Sequence, residues 1–260
     1  VSARISFQVK VKEAGSPLRA PFGGFEFYRK LSKEQLEDFV IQIQQKLIQL
    51  GVNEILIRNH PNLYNEVEAQ LVNDSLLNLE FEFSEDVCSI ILVDEKPYHR
   101  KIKISERQKL VKAEKLFEFE RVNKKQLPTL YSFIASCREE RNQSLSMTLP
   151  ELRKLVTVFP DRILFFKVGT NSEISAAAIV IRVSKTILYT FYYAHTKTHN
   201  RISPAVFLIS GIYDYALKHK ISMIDLGTSM INGHVNKSLL HFKTSIGGVV
   251  TKKQTFTKML

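Results

Sequence analysis

The sequence predicts an α/β protein built on mixed sheets, and three stretches carry that expectation. Ser32 to Gly51 has the periodicity of a capped amphipathic helix and runs into an apolar strand, Glu54–Arg58. Ile163 to Ala194 divides into three short strands separated by turn signals at Asn171-Ser172 and Ser184-Lys185. Ser203 to Gly248 then runs helix, strand, helix, with a final strand after the glycines. Helices interleaved with strands, plus a meander, call for a sheet holding both parallel and antiparallel pairs.

In chain order, Ser6–Lys12 alternates apolar and polar residues as a half-buried strand does. Gly15–Gly24 follows, rich in glycine and proline. Its Arg19 is a candidate substrate-binding residue, and a plain structural turn is the competing reading. Ser32 and Gln35 form a capping box ahead of Leu36, Phe39, Val40, Ile43, Leu47 and Leu50, and Gly51 supplies the stop. A helix is expected over about 62–73, then strands over 76–83 and 87–93. Phe117–Val122 reads as a strand, Lys124–Glu140 as a helix with Pro128 in its first turns, and Leu149–Val158 as another helix.

The last strand of the meander, Ile187–His195, is aromatic on both faces. Tyr192, Tyr193 and His195 lie near its end, where they read either as core residues or as the wall of a cleft. Ser203 is the expected N-cap of the next helix, with Pro204 in its first turn. Arg201 directly precedes that helix start, which makes an anion site conceivable there. Ile221–Asp225 is a short strand, and a Gly-containing loop leads to a helix carrying Phe242 and Lys243.

Size and composition fit one or two soluble globular domains: 260 residues, 44% hydrophobic and 24% charged. No apolar run reaches the roughly 18 residues that span a bilayer. The chain begins Val1-Ser2-Ala3, without a Met or a signal-peptide core, and reads as a trimmed or partly ordered chain whose true beginning need not be Val1. Cys88 and Cys137, the two cysteines, favour a reduced, cytoplasmic protein. Metal ligation is not expected, because His195 and His199 have no third ligand. The net charge of +11 points to an anionic partner. Between Lys96 and Lys115 there are eight Lys or Arg against Glu106 and Glu114, readable as a solvated connecting helix or as a wall for phosphates or RNA.

Taken together, Arg201-Ile-Ser-Pro204, Asp225-Leu-Gly227 and Phe242-Lys-Thr-Ser-Ile-Gly247, in this order, resemble the GNAT acyltransferase superfamily. The likeness is closer to its FemAB-like branch, which includes aminoacyltransferases acting on cell-wall precursors and bacterial acetyltransferase-like proteins. Ser16–Gly23 and the helix–strand unit Ser32–Arg58 are similar to that branch's N-terminal part. The resemblance implies tandem GNAT-like domains: an N-terminal half-domain over 1–95, a basic connecting helix over 96–116 and a C-terminal domain over 117–260.

It further implies transfer of an acyl or aminoacyl group to an amine of a cell-envelope or sugar precursor. Lys243, Asp225 and Tyr193 would be catalytic. Arg201, Ser203 and Ala205 would hold the donor's anionic part, and Tyr192, His195 and Arg19 the acceptor. No tightly bound cofactor is implied; the donor would be acyl-CoA or aminoacyl-tRNA, and the acceptor a nucleotide-sugar or peptide. The glycine-rich pyrophosphate loop of acetyl-CoA-binding members is replaced by Arg201-Ile-Ser-Pro-Ala205, which fits the FemAB-like branch better than the wider superfamily. That replacement also keeps open a catalytically inactive module binding a nucleotide-linked or anionic ligand. RNA binding through the 96–115 run is a further alternative.

Overall fold

The computed structural model describes residues 1–260, which form two compact units. The first comprises Val1–Cys88, Thr228–Val235 and Val250–Leu260, and the second Ser89–Gly227 and Asn236–Val249.

Strands β1 (Ala3–Ile5), β2 (Gln8–Lys10), β3 (Glu13–Ser16) and β4 (Phe25–Phe27) open the first unit, followed by helix α1 (Lys33–Gln49) and strand β5 (Glu54–Arg58). Helix α2 (Glu66–Asn78) and strand β6 (Glu82–Leu92) come next, and β6 runs on into the second unit at Ser89. The capping box at Ser32 and Gln35 forms as expected. Leu36, Val40 and Leu47 are buried on the inner face of α1, whereas Leu50 is exposed as its C-cap.

Two expectations in this region are corrected. The segment from Leu76 is the end of α2, because Ala69, Val72 and Leu76 continue one buried helical stripe. A left-handed Glu80 closes that helix, with the Glu80 amide donating to Leu77 O and the Phe81 amide to Leu76 O, both at 3.0 Å. Strand β6 also runs unbroken through Ser84-Glu85-Asp86, where two separate strands, 76–83 and 87–93, are expected. Its acids meet Lys252 at 2.8 Å and Lys253 at 2.9 Å on the last strand of the chain, Val249–Met259. Opposite charges on neighbouring strands favour extended pairing over a turn.

The second unit contains helix α3 (Ile104–Glu114), strand β7 (Glu118–Val122), helices α4 (Leu127–Glu139) and α5 (Leu149–Val158), and strands β8 (Ile163–Gly169), β9 (Ile174–Arg182) and β10 (Ile187–His195). Helix α6 (Pro204–Lys218) and strand β11 (Met223–Thr228) follow, and a small hairpin, β12 (Met230–Ile231) with β13 (His234–Val235), lies in the first unit. The chain ends with helix α7 (Lys237–Ser245) and strand β14 (Val249–Met259).

In the first unit the sheet order is β2-β3-β5-β14-β6, with β3 parallel and β14 antiparallel to β5. Its core gathers Leu36, Ile55, Ile57, Leu76 and Phe256, all less than 3% exposed. In the second unit the order runs from the end of β6 through β11-β10-β9-β8-β7. One face of this sheet packs on α3 and α6 through Phe166, Leu188, Ile209 and Ile212. The other packs on α4 and α5 through Leu130, Ile134, Leu152 and Tyr192. The basic run from Lys96 divides into a 3-10 turn and α3, whose Leu110 and Ala113 are buried.

Gly211 sits within α6 where a Cβ would overlap the Phe119 ring, and that ring is stacked on Phe166 at 5.6 Å. Alanine is better than glycine in a helix interior by up to about 1 kcal/mol, but overpacking a ring that cannot retreat costs roughly 1–3 kcal/mol. The clash wins. Gly211→Ala is expected to lower stability by about 2 kcal/mol, read from its urea midpoint.

Candidate functional site

Three sequence-predicted elements converge at the C-terminal end of β11. Strands β10 and β11 run parallel through Ile187–Met223, Leu188–Ile224 and Tyr189–Asp225, and their pairing stops there. Strand β10 continues to His195 and β11 to Thr228 without rejoining. The cause lies in β10. Its register with β9 shifts between Tyr189 and Tyr192, the mark of a β-bulge. A bulge adds twist and bends its strand. It also resets the side-chain alternation: Leu188 points into the α3/α6 core, whereas Tyr192 and Ala194 point into the α4/α5 core. Tyr193 is thereby turned to the α6 side. The Thr190 hydroxyl, inside the bulge, donates to Asp225 O at 2.9 Å and pins the point of parting.

Asp225 is 1% exposed and Lys243 is 2% exposed, and both bind the same residue. The Gly227 amide donates to Asp225 Oδ1 at 2.6 Å, while Lys243 Nζ donates to Gly227 O at 2.8 Å. Gly227 has φ of +75°, a left-handed conformation that glycine adopts without penalty. The Tyr189 ring covers it, with Cε2 3.5 Å from where a Cβ would stand. Helix α7 delivers Lys243 in its last turn. Asn236 caps the other end, its side chain accepting from the Leu239 amide at 2.9 Å. A buried carboxylate and a buried ammonium thus hold the two peptide groups of Gly227 between them.

Beyond the parting, Tyr193 and His195 lie on the same face of β10, two residues apart in regular pairing with Ala178 and Ala176. Burial pushes the Tyr193 phenol up to about 12, against a smaller opposing pull from Arg138. Burial also lowers the His195 pKa, helped by the nearby Arg141 charge and opposed by a hydrogen bond with Asn200. At neutral pH the pair is a protonated phenol and a neutral imidazole.

The remaining candidates are dispersed. The Tyr192 hydroxyl is engaged by the 144–148 loop, accepting from the Met147 amide at 2.9 Å and lying 2.6 Å from Ser146 Oγ. Arg201 is exposed in the turn after β10, and Ala205 is buried in the first turn of α6. Ser203 does not serve as the expected N-cap. Its backbone is left-handed, φ 59° and ψ 70°, and its hydroxyl makes no capping bond. An N-cap needs an extended conformation to aim its oxygen at the first-turn amides. Arg19 is exposed in the first unit.

Tyr189 and Thr190 are not singled out by the sequence, and Gly227 enters there only as part of Asp225-Leu-Gly227. The left-handed glycine is foreshadowed by Asp-Leu-Gly, but a bulge leaves no local signal in a strand already apolar or aromatic on both faces. No group of three or more His, Cys, Asp or Glu is placed to hold a metal ion, and no helix is long and apolar enough to cross a membrane.

The parallel β10–β11 pair that parts at its end, flanked by α6 and α7, sits in a GNAT-like α/β fold of the kind seen in FemX. The solved structure of FemX matches 98% of this chain and 83% of its own, with TM-score 0.73 and 13% identity. A C-terminal domain ascribed to a lysylphosphatidylglycerol synthetase of Agrobacterium fabrum matches 98% and 81%, with TM-score 0.63 and 11% identity. A tandem GNAT protein from the clavulanic acid biosynthesis pathway matches 94% and 76%, with TM-score 0.51 and 7% identity. Identities this low establish likeness of fold. No family model matches the sequence, and no curated protein matches it either.

Proposed function

We propose that this protein is an acyltransferase that moves an acyl or aminoacyl group from an activated carrier to an amine of a cell-envelope or sugar precursor. The observation that carries this reading is the parting of β10 and β11 beside Asp225, Gly227 and Lys243. Strands that separate within a sheet present backbone amides and carbonyls that their partner no longer uses. Such groups suit an extended, amide-bearing carrier and offer fixed donors to the oxygen of a reacting carbonyl.

The reaction forms one C–N bond and breaks the C–O or C–S bond to the carrier. The amine sheds a proton and the carrier atom gains one. His195, neutral at working pH, takes the first, and Tyr193, protonated there, supplies the second. Asp225 and Lys243 act as positioning residues, because both are buried and both terminate on Gly227. FemX and the lysylphosphatidylglycerol synthetase domain favour a cell-envelope acceptor and an aminoacyl donor; the GNAT neighbours keep acyl-CoA as the alternative donor.

The test is incubation of the purified protein with acetyl-CoA, and separately with bulk aminoacyl-tRNA, together with amine-bearing nucleotide-sugar and peptide acceptors. The expected result is an acceptor whose mass rises by the acyl group in one donor arm. Thermal stabilisation by an acceptor without any mass gain would replace the enzyme by a binding module.

A further inference from the structure

A cluster of cationic side chains lies at the opposite end of β11, about 13 Å of strand from Gly227 at ~3.3 Å per residue. A cavity of about 600 Å³ opens there, within the size range of small-ligand sites. Its charged lining is Arg162, Arg182, Lys185 and Lys220 against a single acid, Asp161, with the His219 ring beside them. These come from three separate connections: the entry to β8, the β9–β10 turn and the end of α6. All lie within the second unit.

The walls are fixed by the backbone. The Arg182 amide donates to Arg162 O at 2.7 Å, and the Ser222 and Met223 amides both donate to Thr186 O, at 2.9 and 3.1 Å. The guanidinium groups are fixed too. Arg162 Nη1 donates to Val183 O at 3.2 Å and Arg182 Nη2 to Lys185 O at 3.0 Å. Each bond uses one edge of a five-donor fork and leaves the rest for another acceptor. The Ser184 and Thr186 side chains add hydroxyls to the lining.

The bland account is that cations collect at the C-terminus of α6, where the helix dipole favours them. That covers Lys220. It does not cover Arg182 and Lys185, which flank a β-turn. None of the four Arg and Lys side chains is in an ion pair, so their mutual repulsion is uncompensated within the protein. Fixed guanidinium forks, ammonium groups in no ion pair and hydroxyls around one concavity are the donor set for phosphoryl oxygens.

We propose that this cavity binds a diphosphate-sized anion, in a site separate from the parted ends of β10 and β11 and independent of the transfer reaction. The diphosphate would be carried by a nucleotide-linked small molecule or supplied as successive phosphodiesters of an RNA strand.

The experiment is a titration of the whole chain with inorganic pyrophosphate, following backbone amide resonances. The expected result is saturable shifts at Ser184–Thr186 and His219–Lys220, larger than those from sodium chloride at equal ionic strength. The variant pair is Lys185→Gln with Lys220→Gly. Lys220 is left-handed, φ 56°, where glycine is unstrained, so this variant loses charge without a reason to lose fold. It should bind at least tenfold more weakly at an undiminished melting temperature. A single-stranded oligoribonucleotide shifting the same amides at tenfold lower concentration identifies the RNA source, and tighter binding of pyrophosphate identifies the small diphosphate. No saturable shift with either probe, shifts matched by sodium chloride, or undiminished binding in the variant would overturn the proposal.

Discussion

Lys243→Ala is expected to lower stability by about 4 kcal/mol, measured by urea unfolding. Two losses add. Deleting most of a fully buried side chain leaves a cavity, which for a chain of this size costs roughly 2–4 kcal/mol. Gly227 O then loses its charged donor, and a partly buried acceptor left unpaired costs about 1 kcal/mol more, the low end of the range for a buried one. No discount for solvent applies to the Lys243 side chain, which is 2% exposed. Lys243→Met keeps the volume and removes the charge, so it should fall by only about 1 kcal/mol. A loss under about 1 kcal/mol for the alanine variant would mean that α7 does not hold Gly227 in the way described.

Tyr193→Phe should lower kcat by about 100-fold, the lower end of what general acid catalysis contributes. The urea midpoint should hardly move, because the ring is retained. The phenol's pKa of about 12 sets the pH dependence. The protonated form is the competent one and persists below that value, so the wild-type rate should not decline through loss of this proton up to about pH 10. A drop in kcat without a change in midpoint separates the chemical role from a packing role. An unchanged kcat would remove Tyr193 from the mechanism.

Much of the fold was legible because local signals coincide with tertiary need. Ser32 and Gln35 cap a helix whose buried stripe is already visible in Leu36, Val40 and Leu47. The meander is legible from its turns, and β8, β9 and β10 fall within a residue or two of the expected limits. Asp225 and Lys243 were both picked out, yet their shared attachment to Gly227 depends on α7 returning to the end of β11, which no spacing encodes.

The misses share that origin. β6 stays extended through Ser84-Glu85-Asp86 because Lys252 and Lys253 meet those acids from far along the chain. Ser203 has the right residue type for an N-cap, but the preceding turn, closed by its amide on His199 O at 2.9 Å, leaves it in the left-handed region. Arg162, Arg182 and Lys220 are unremarkable singly and become a cavity only when three connections meet.

The measurement that bears most directly on the site is hydrogen–deuterium exchange with acetyl-CoA and with bulk aminoacyl-tRNA as separate ligands. If the parted strands receive the donor, one ligand will slow exchange at the amides of Thr190–Ala194 and Leu226–Thr228. Full-speed exchange there in both arms, with protection elsewhere, would contradict it.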